Sequence, residues 1–468
     1  MSMSWLVVFV VFGVNFTLWG LVGLVRLLAV VAARLRRRRP AGGGLAAGAP
    51  DAAGVDVGAT EARPFTVRDV AVLIPAHNEE LVIESTIRAI ARLVPLTNVF
   101  VVSDGSVDDT VARAERCGAT VLELPVAGGK ARALEAGLTS FELAARFALV
   151  LLLDADSELD DRYFEAALPP FADPGVACVA GYATTVWHPR EMSIGAQVLA
   201  AHRERIYATS QLFVKYGQTA KHTNVTPIVP GFASLYRSRV LEEIHVAAPR
   251  LVIEDFNMTF EVHHRHLGRV AFTPGARAYT QDPHRLADYN RQVRRWTLGF
   301  WQTVRRHGLW FSRFCAALLL TMAELVLSSL LLVWTTVALL MLAASDAIGR
   351  AATTAPVYGP VSRFVAHHSS LRLVAVIWLS DYALTIVVAA IQRRPRYLLL
   401  GLFFLPLRLV DSMATLSAIP RAWLVTSTGR WVSPARQAVG GPVPAVVLAP
   451  GPSAGGAVAD TPAGVGST

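Results

Sequence analysis

The run from Trp5 to Ala33 constrains this chain most: it is apolar apart from Asn15, Arg26 and a few small polar residues. At about 1.5 Å per residue, ~20 residues cross a hydrocarbon core, so Trp5–Val25 suffices. No charged residue precedes the run, whereas Arg34 and Arg36–Arg39 follow it. A signal peptide carries its positive end first and a small-residue cleavage site after. The reversed polarity predicts an uncleaved anchor, with the N-terminus outside and the next segment in the cytosol. Phe314–Ala344 and Leu371–Ile391 are two further candidate spans, and Arg393, Arg394 and Arg396 return the second to the cytosol. Tyr397–Val425 is apolar but interrupted by Pro406, Arg408, Asp411 and Pro420. Charges at bilayer depth are costly unless they face protein or water. Two readings of that stretch stay open, a fourth span or a broken helix at the cytosolic interface, and Arg421, Arg430 and Arg436 mildly favour the second.

Composition agrees with lipid as a solvent. Hydrophobic residues make up 53% and charged residues 17% of the 468, against about 25% charged in soluble chains. The mean hydropathy is +0.42. A wholly soluble enzyme, a disordered chain and a collagen-like fibre are excluded. Net charge is +9, and because Lys occurs only at 130, 215 and 221, nearly all the positive charge is Arg. The arginines flank apolar segments and crowd the stretch after residue 285, which points to a membrane surface and away from nucleic acid. No nucleic-acid partner is expected. Cys117, Cys178 and Cys315 are too few and too scattered for a disulfide framework or a zinc site, so the working part is expected to face a reducing compartment.

These signals divide the chain into an anchor with its basic flank (1–39), an Ala/Gly-rich flexible linker (40–64), a globular segment (65–287), an interfacial helix (288–312), further transmembrane or interfacial helices (313–426) and a disordered tail (427–468). Within the globular segment, apolar runs alternate with helical patterns: Val70–Pro75 then Glu80–Leu93, Asn98–Asp104 then Val107–Cys117, Thr120–Leu124 then Lys130–Arg146, and finally Ala148–Asp154. Continuous apolar runs of this kind suit buried parallel strands joined by crossover helices, an α/β fold. Ligands of open parallel sheets bind beyond the carboxyl ends of the strands, where the polar clusters fall.

Asp154-Ala155-Asp156 places two carboxylates at i and i+2 after a strand, a spacing that lets them share a hard cation and through it a diphosphate; a plain turn also uses Asp. Asp104 ends a strand where a base or ribose would lie, while Asp108 or Asp109 suits a helix cap. Gly128-Gly129-Lys130 opens a helix without Walker spacing, and a Lys at a helix N-terminus is either a phosphate ligand or a surface charge. Glu254-Asp255 lies between apolar residues; a partly desolvated carboxylate there gains basicity, the alternative being a cap. His263, His264 and His266 give no ligand pattern and read as a surface face. Arg291 to Trp296, continuing to Trp301, Arg305 and Arg306, combines guanidinium groups with indoles, suiting both an interfacial helix and a phosphate clamp with a stacking platform for sugar.

Together these residues resemble the membrane-embedded family 2 glycosyltransferases, which have a GT-A (Rossmann-like) catalytic domain between transmembrane helices and include synthases of cellulose, chitin, hyaluronan and poly-N-acetylglucosamine. The resemblance rests on Pro75-Ala76-His77-Asn78-Glu79-Glu80, Asp104-Gly105-Ser106, Gly129-Lys130-Ala131-Arg132-Ala133-Leu134, Asp154-Ala155-Asp156, Pro230-Gly231-Phe232-Ala233-Ser234, Glu254-Asp255 and Gln292-x-x-Arg295-Trp296, and covers about residues 70–310. It implies that Ala76, Glu79 and Asp104 hold uracil and ribose, that Lys130 and Asp154 help bind diphosphate, and that Asp156 ligates Mg²⁺ or Mn²⁺. Asp255, beside Glu254, would be the catalytic base, with Gln292, Arg295 and Trp296 closing the site. The implied partners are a UDP-sugar donor, a glycan or lipid acceptor and the bilayer. Val293 and Glu135 depart from the common pattern.

Three functions follow as expectations. The first is a processive inverting transferase, multi-pass in the cell membrane with a cytosolic catalytic domain, that extends a β-linked glycan. The second adds a single sugar to a lipid. The third, motivated by Glu324 and Asp381 in apolar segments, is a non-catalytic transport or scaffold protein.

Overall fold

Val70–Ala76 (β1) contains no charged residue and is buried along its whole length. Strand periodicity sends Val70, Val72 and Ile74 to one side of the sheet, against Ile83, Ile87 and Ile90 of helix α2 (Ile83–Ile90). Ala71 and Leu73 go to the other side, against Ala133 and Leu134 of α4 (Lys130–Ser140). A strand sandwiched by helices in this way needs apolar residues at every position. Each fully buried aliphatic side chain contributes about 1.5–3 kcal/mol.

The computed structural model describes residues 13–38, 63–348, 359–361 and 371–425. Most of the expected linker, the expected tail and the first residues of the N-terminal apolar run lie outside the described residues. The remaining principal elements are α1 (Val14–Arg38), β2 (Val99–Asp104), α3 (Thr110–Arg116), β3 (Thr120–Leu124), β4 (Leu149–Leu152), β5 (Ser157–Leu159) and β6 (Val176–Thr185). They continue with α5 (Ile194–Ala208), a π-helical turn at Thr209–Lys215, β7 (Ser234–Arg237), α6 (Glu254–His264), β8 (Arg269–Thr280), α7 (Leu286–His307), α8 (Arg313–Ile348), α9 (Leu371–Ile391) and α10 (Phe404–Leu424).

Among the described residues eight strands form one sheet in the order β3-β2-β1-β4-β7-β6-β8-β5. The first four are parallel, as the βαβ pattern predicts. β7 then runs antiparallel to β4 and β6, β8 runs parallel to β6, and β5 pairs antiparallel with β8. The carboxyl ends of β1, β2 and β4 therefore open on one edge, where the polar clusters sit. One expected helix differs: Lys130–Arg146 is broken after Ser140, with Glu142 in the left-handed region at φ 50°. The break lets Phe141 and Phe147 both pack on Phe100, at ring-centroid distances of 4.9 and 5.8 Å.

Among the described residues three stretches are long and apolar enough to cross a membrane by length and composition: Val14–Ala32, Arg313–Met341 and Arg396–Leu424. In α9 the described apolar stretch is shorter, Ile377–Ile391. Five charges within these helices, Arg26, Glu324, Asp381, Arg408 and Asp411, find partners in the protein. Asp411 accepts from Tyr289 Oη at 2.7 Å and lies 3.0 Å from His202 Nε2. Asp381 pairs with Arg205 at 2.8 Å and Arg408 at 2.5 Å, and Glu324 accepts from the Asn15 backbone and side chain. Arg26 of α1 donates to the Tyr216 carbonyl at 2.8 Å and lies over the Tyr216 ring. Gly217 permits this docking, because a Cβ there would come within 2.0 Å of the Trp19 carbonyl oxygen. The expected surface histidines are corrected at one position. His263 is half-buried, stacked on Phe314 and hydrogen bonded to the Thr226 carbonyl, and its desolvation draws its pKa down to about 4.

Candidate active site

Beyond β4, the Ser157 amide donates to the Asp154 carbonyl at 3.1 Å and closes a turn. Ala155 is buried in the core, with its carbonyl accepting from Thr86 Oγ1 at 2.6 Å. The turn brings Asp154 and Asp156 together onto the wall of a cavity of about 520 Å³. Also in its lining are Gly128, Lys130, Gly231, Glu254, Asp255, Gln292, Arg295 and Trp296. Residues from segments more than a hundred positions apart converge here.

Lys130, the first residue of α4, lies 2.6 Å from Asp154 Oδ1 and 3.0 Å from Glu254 Oε1, and donates to the Gly231 carbonyl at 2.9 Å. An ammonium has three donors, so this set saturates it. Burial alone would lower the Lys130 pKa; Asp154 and then Glu254 outweigh it and hold the pKa above its ordinary value. Burial raises the Asp154 carboxyl, with Lys130 opposing. Gly231 is required by close approach: a Cβ would meet Glu254 Oε1 at 2.8 Å and Lys130 Nζ at 3.1 Å.

Asp255 sits in the first turn of α6. Its Oδ2 accepts from the Gly231 amide at 3.3 Å and its Oδ1 from the Phe256 amide at 2.7 Å. Burial, reinforced by the neighbouring Glu254 charge, pushes its pKa up to about 7. A carboxyl poised there exchanges a proton readily near neutrality.

The expected uracil and ribose ligands lie elsewhere. Ala76, Glu79 and Asp104 are fully buried and do not line the cavity. Asp104 Oδ1 and Oδ2 accept from the Gly128 and Gly129 amides, each at 2.7 Å, pinning the glycine loop that leads into Lys130. The Glu79 amide donates to Thr110 Oγ1. Asp108, one of the two expected caps, accepts from the Thr110 amide at 3.1 Å, whereas Asp109 makes no side-chain cap bond. Direct contact of Asp104 with a nucleotide therefore requires the loop at Gly128–Gly129 to shift.

On α7, Gln292, Arg295 and Trp296 face the cavity. Val293 turns inward to pack with Leu199, Tyr289, Leu407 and Ala414, which explains its apolar character; Glu135 is exposed. Sequence reasoning missed Arg203 of α5. Its buried guanidinium donates to Gln292 Oε1 at 2.6 Å and lies 4.4 Å from the Trp296 ring centre and 4.6 Å from that of Tyr289. It also pairs with Asp282 at 3.5 Å. Burial pushes Asp282 up to about 6, with Arg203 opposing. A basic residue in the helical stretch His202-Arg203-Glu204-Arg205 carries no local sign of partners about ninety residues on.

Residues 68–299 match the family model described as glycosyltransferase like family 2. A 98-residue stretch is 38% identical to glucosyl-3-phosphoglycerate synthase of Mycobacterium tuberculosis and to that of Mycobacterium bovis, covering 19% of this chain and 29% of each relative. The match thus spans less than a third of the curated relatives' length. Among solved structures, a mannosyltransferase of Pyrobaculum calidifontis in complex with GDP-mannose and Mn²⁺ aligns at TM-score 0.47 and 17% identity, over 76% of this chain and 87% of that one. Glucosyl-3-phosphoglycerate synthase of M. tuberculosis with Mn²⁺, UDP-glucose and phosphoglyceric acid aligns at 0.33 and 21%, over 52% and 81%. The mixed sheet is a GT-A fold, and through residues 68–299 the chain belongs to the glycosyltransferase like family 2.

Proposed function

We propose that this chain is a membrane-bound inverting hexosyltransferase that moves sugar from a UDP-sugar to a hydroxyl of a growing β-linked glycan. The observation that carries the reading is Asp255, a half-buried carboxyl raised to about 7, in one cavity with Asp156 and Arg295. Asp255 takes the proton of the acceptor hydroxyl as that oxygen bonds to the anomeric carbon and the bond from carbon to diphosphate oxygen breaks. Attack from the face opposite the leaving group inverts the centre. Glu254 raises the basicity of Asp255 and, with Asp154, holds Lys130 in place. Arg295 has no ion-pair partner among the described residues and offsets charge growing on the diphosphate. Gln292 and the Trp296 indole face form the acceptor side.

Lys130 and Asp154 are assigned to the diphosphate, and Ala76, Glu79 and Asp104 to the uridine, which they reach after a shift of the glycine loop. Asp156, with Asp154 beside it, would hold Mg²⁺ or Mn²⁺. Among the described residues no group of three or more His, Cys, Asp or Glu side chains is arranged to hold a metal alone. The two carboxylates still fit, because a hard cation takes its remaining oxygens from diphosphate and water. Such an ion, when bound, neutralises charge on the departing diphosphate. The likeness to glucosyl-3-phosphoglycerate synthases supports a hexosyl donor. The candidate spans and the arginines flanking them support a multi-pass membrane location with the catalytic domain in the cytosol.

A second reading, single transfer to a lipid acceptor, is favoured by one observation. A cleft of about 190 Å³ between α7 and α10 is lined by Arg294, Arg295 and Arg421 with Leu298, Ala414 and Ala418. It shares Arg295 and Val252 with the main cavity. The test is UDP release by the purified full-length protein with a panel of UDP-sugars and Mg²⁺ or Mn²⁺, followed by sizing of the product. A ladder or polymer supports glycan extension and a single glycolipid supports the second reading. Absence of UDP release with every donor contradicts both.

A further inference from the structure

The main cavity contains a buried cation that the transfer step leaves unused. Lys215 closes the π-helical turn Thr209–Lys215 and lines the cavity together with Tyr207, Ser210 and Gln211. A π-turn adds a residue to the helical circuit and re-aims its side chains, and such turns concentrate at functional sites. Gln211 fastens this one to β6: its Oε1 accepts from the Ala183 amide at 2.8 Å and its Nε2 donates to the Ala183 carbonyl at 2.9 Å.

Lys215 is 6% exposed, and its Nζ makes no hydrogen bond or ion pair among the described residues. Beneath it lies the Phe272 ring, 5.8 Å from Nζ to centroid. Asp255 is the carboxylate whose field reaches it, from beyond ion-pair distance. Lys130 differs in being saturated by Asp154, Glu254 and Gly231; of the other lining cations Arg132 and Arg250 are exposed, and the half-buried Arg295 is the one assigned to the diphosphate. Burial draws Lys215 down to about 8, with Asp255 opposing. An unpaired buried ammonium is costly, and a sugar hydroxyl offers it a hydrogen bond but no countercharge. A carboxylate or phosphate offers both.

We propose that Lys215 is a specificity-determining residue that receives an anionic group, carboxylate or phosphate, carried by the sugar or acceptor brought to Asp255. The proposal rests on the transferase reading and adds to it a class of substrate, one bearing negative charge outside the UDP diphosphate.

The experiment uses the full-length protein in detergent and follows UDP release by the native chain, Lys215→Met and Lys215→Arg. One arm compares UDP-glucuronate with UDP-glucose as donor. The other fixes the donor and compares a phosphorylated sugar acceptor with its unphosphorylated counterpart. The native protein is expected to prefer the acidic member in one arm, which identifies whether donor or acceptor carries the anion. Lys215→Met is expected to lower that kcat/KM ratio at least about tenfold, while Lys215→Arg retains most of it. Turnover of the neutral member reports that each variant is folded. A preference unchanged in Lys215→Met overturns the proposal, as does absence of preference in both arms. Equal loss for both members, with an upward move of the acid limb of the pH profile, also overturns it and makes Lys215 a tuner of Asp255. Absence of UDP release from the native protein with every donor removes the transferase reading itself, an outcome distinct from the others.

Discussion

Arg203 lies beneath Trp296, its guanidinium carbon 4.4 Å from the indole ring centre. A charge brought from α5 thereby sets the orientation of the side chain that faces the cavity from α7, and the same guanidinium fixes Gln292 through a 2.6 Å hydrogen bond.

Arg203→Met is expected to free both side chains and to leave Asp282 buried without its cation. A small misplacement of positioning groups costs about 10²-fold in rate. The expected outcome is a fall of that order in kcat, with the KM for UDP-sugar changed far less. Arg203→Lys rescues poorly, since an ammonium cannot bond Gln292 while presenting a flat face to the indole. Steady-state kinetics on both variants check this.

Asp104→Asn tests the pin beneath the glycine loop. The carboxylate accepts from two amides, and hydrogen bonds to a charged group contribute about 1.5–3 kcal/mol each. An amide side chain has a single acceptor oxygen, so one backbone donor loses its partner. Chemical denaturation is expected to show a loss of about 2 kcal/mol, accompanied by weaker nucleotide binding because Lys130 begins at the end of that loop. Native stability in the variant would contradict the structural role.

Much of the sheet and of the cavity wall was legible in the chain. Strands β1 and β4, and β2 up to Val102, are uninterrupted apolar runs because helices cover both their faces, and Asp154, Asp156, Asp255, Gln292, Arg295 and Trp296 belong to short local patterns that line one cavity. What escaped was anything set by distant pairing. Arg203 and Lys215 lie in helical segments whose composition is ordinary; only the fold brings one to Trp296 and leaves the other without a partner. The motif at Asp104 was visible, but a strand end reads the same whether its carboxylate faces a ligand or a backbone loop. For Tyr397–Val425 the charges gave conflicting signals because Arg408 and Asp411 find their partners, Asp381, His202 and Tyr289, on three other helices.

Glu254→Gln tests the electrostatics of the base. Burial is the larger cause of the raised Asp255 pKa and the Glu254 charge the next. Asp255 works as a carboxylate, so kcat/KM is expected to rise with pH and level off above about 7. Removing the adjacent negative charge lowers the pKa, which moves the acid limb to lower pH. A limb that stays in place or moves upward contradicts the assignment.

The most direct measurement is UDP release by Asp255→Asn at saturating UDP-sugar, paired with UDP binding to the same variant. Loss of a positioned base costs about 10²–10⁴-fold, so turnover is expected to fall by at least the lower figure while UDP binds nearly as before. Turnover close to that of the native protein would show that the acceptor proton leaves by another route and would remove Asp255 from the centre of the mechanism.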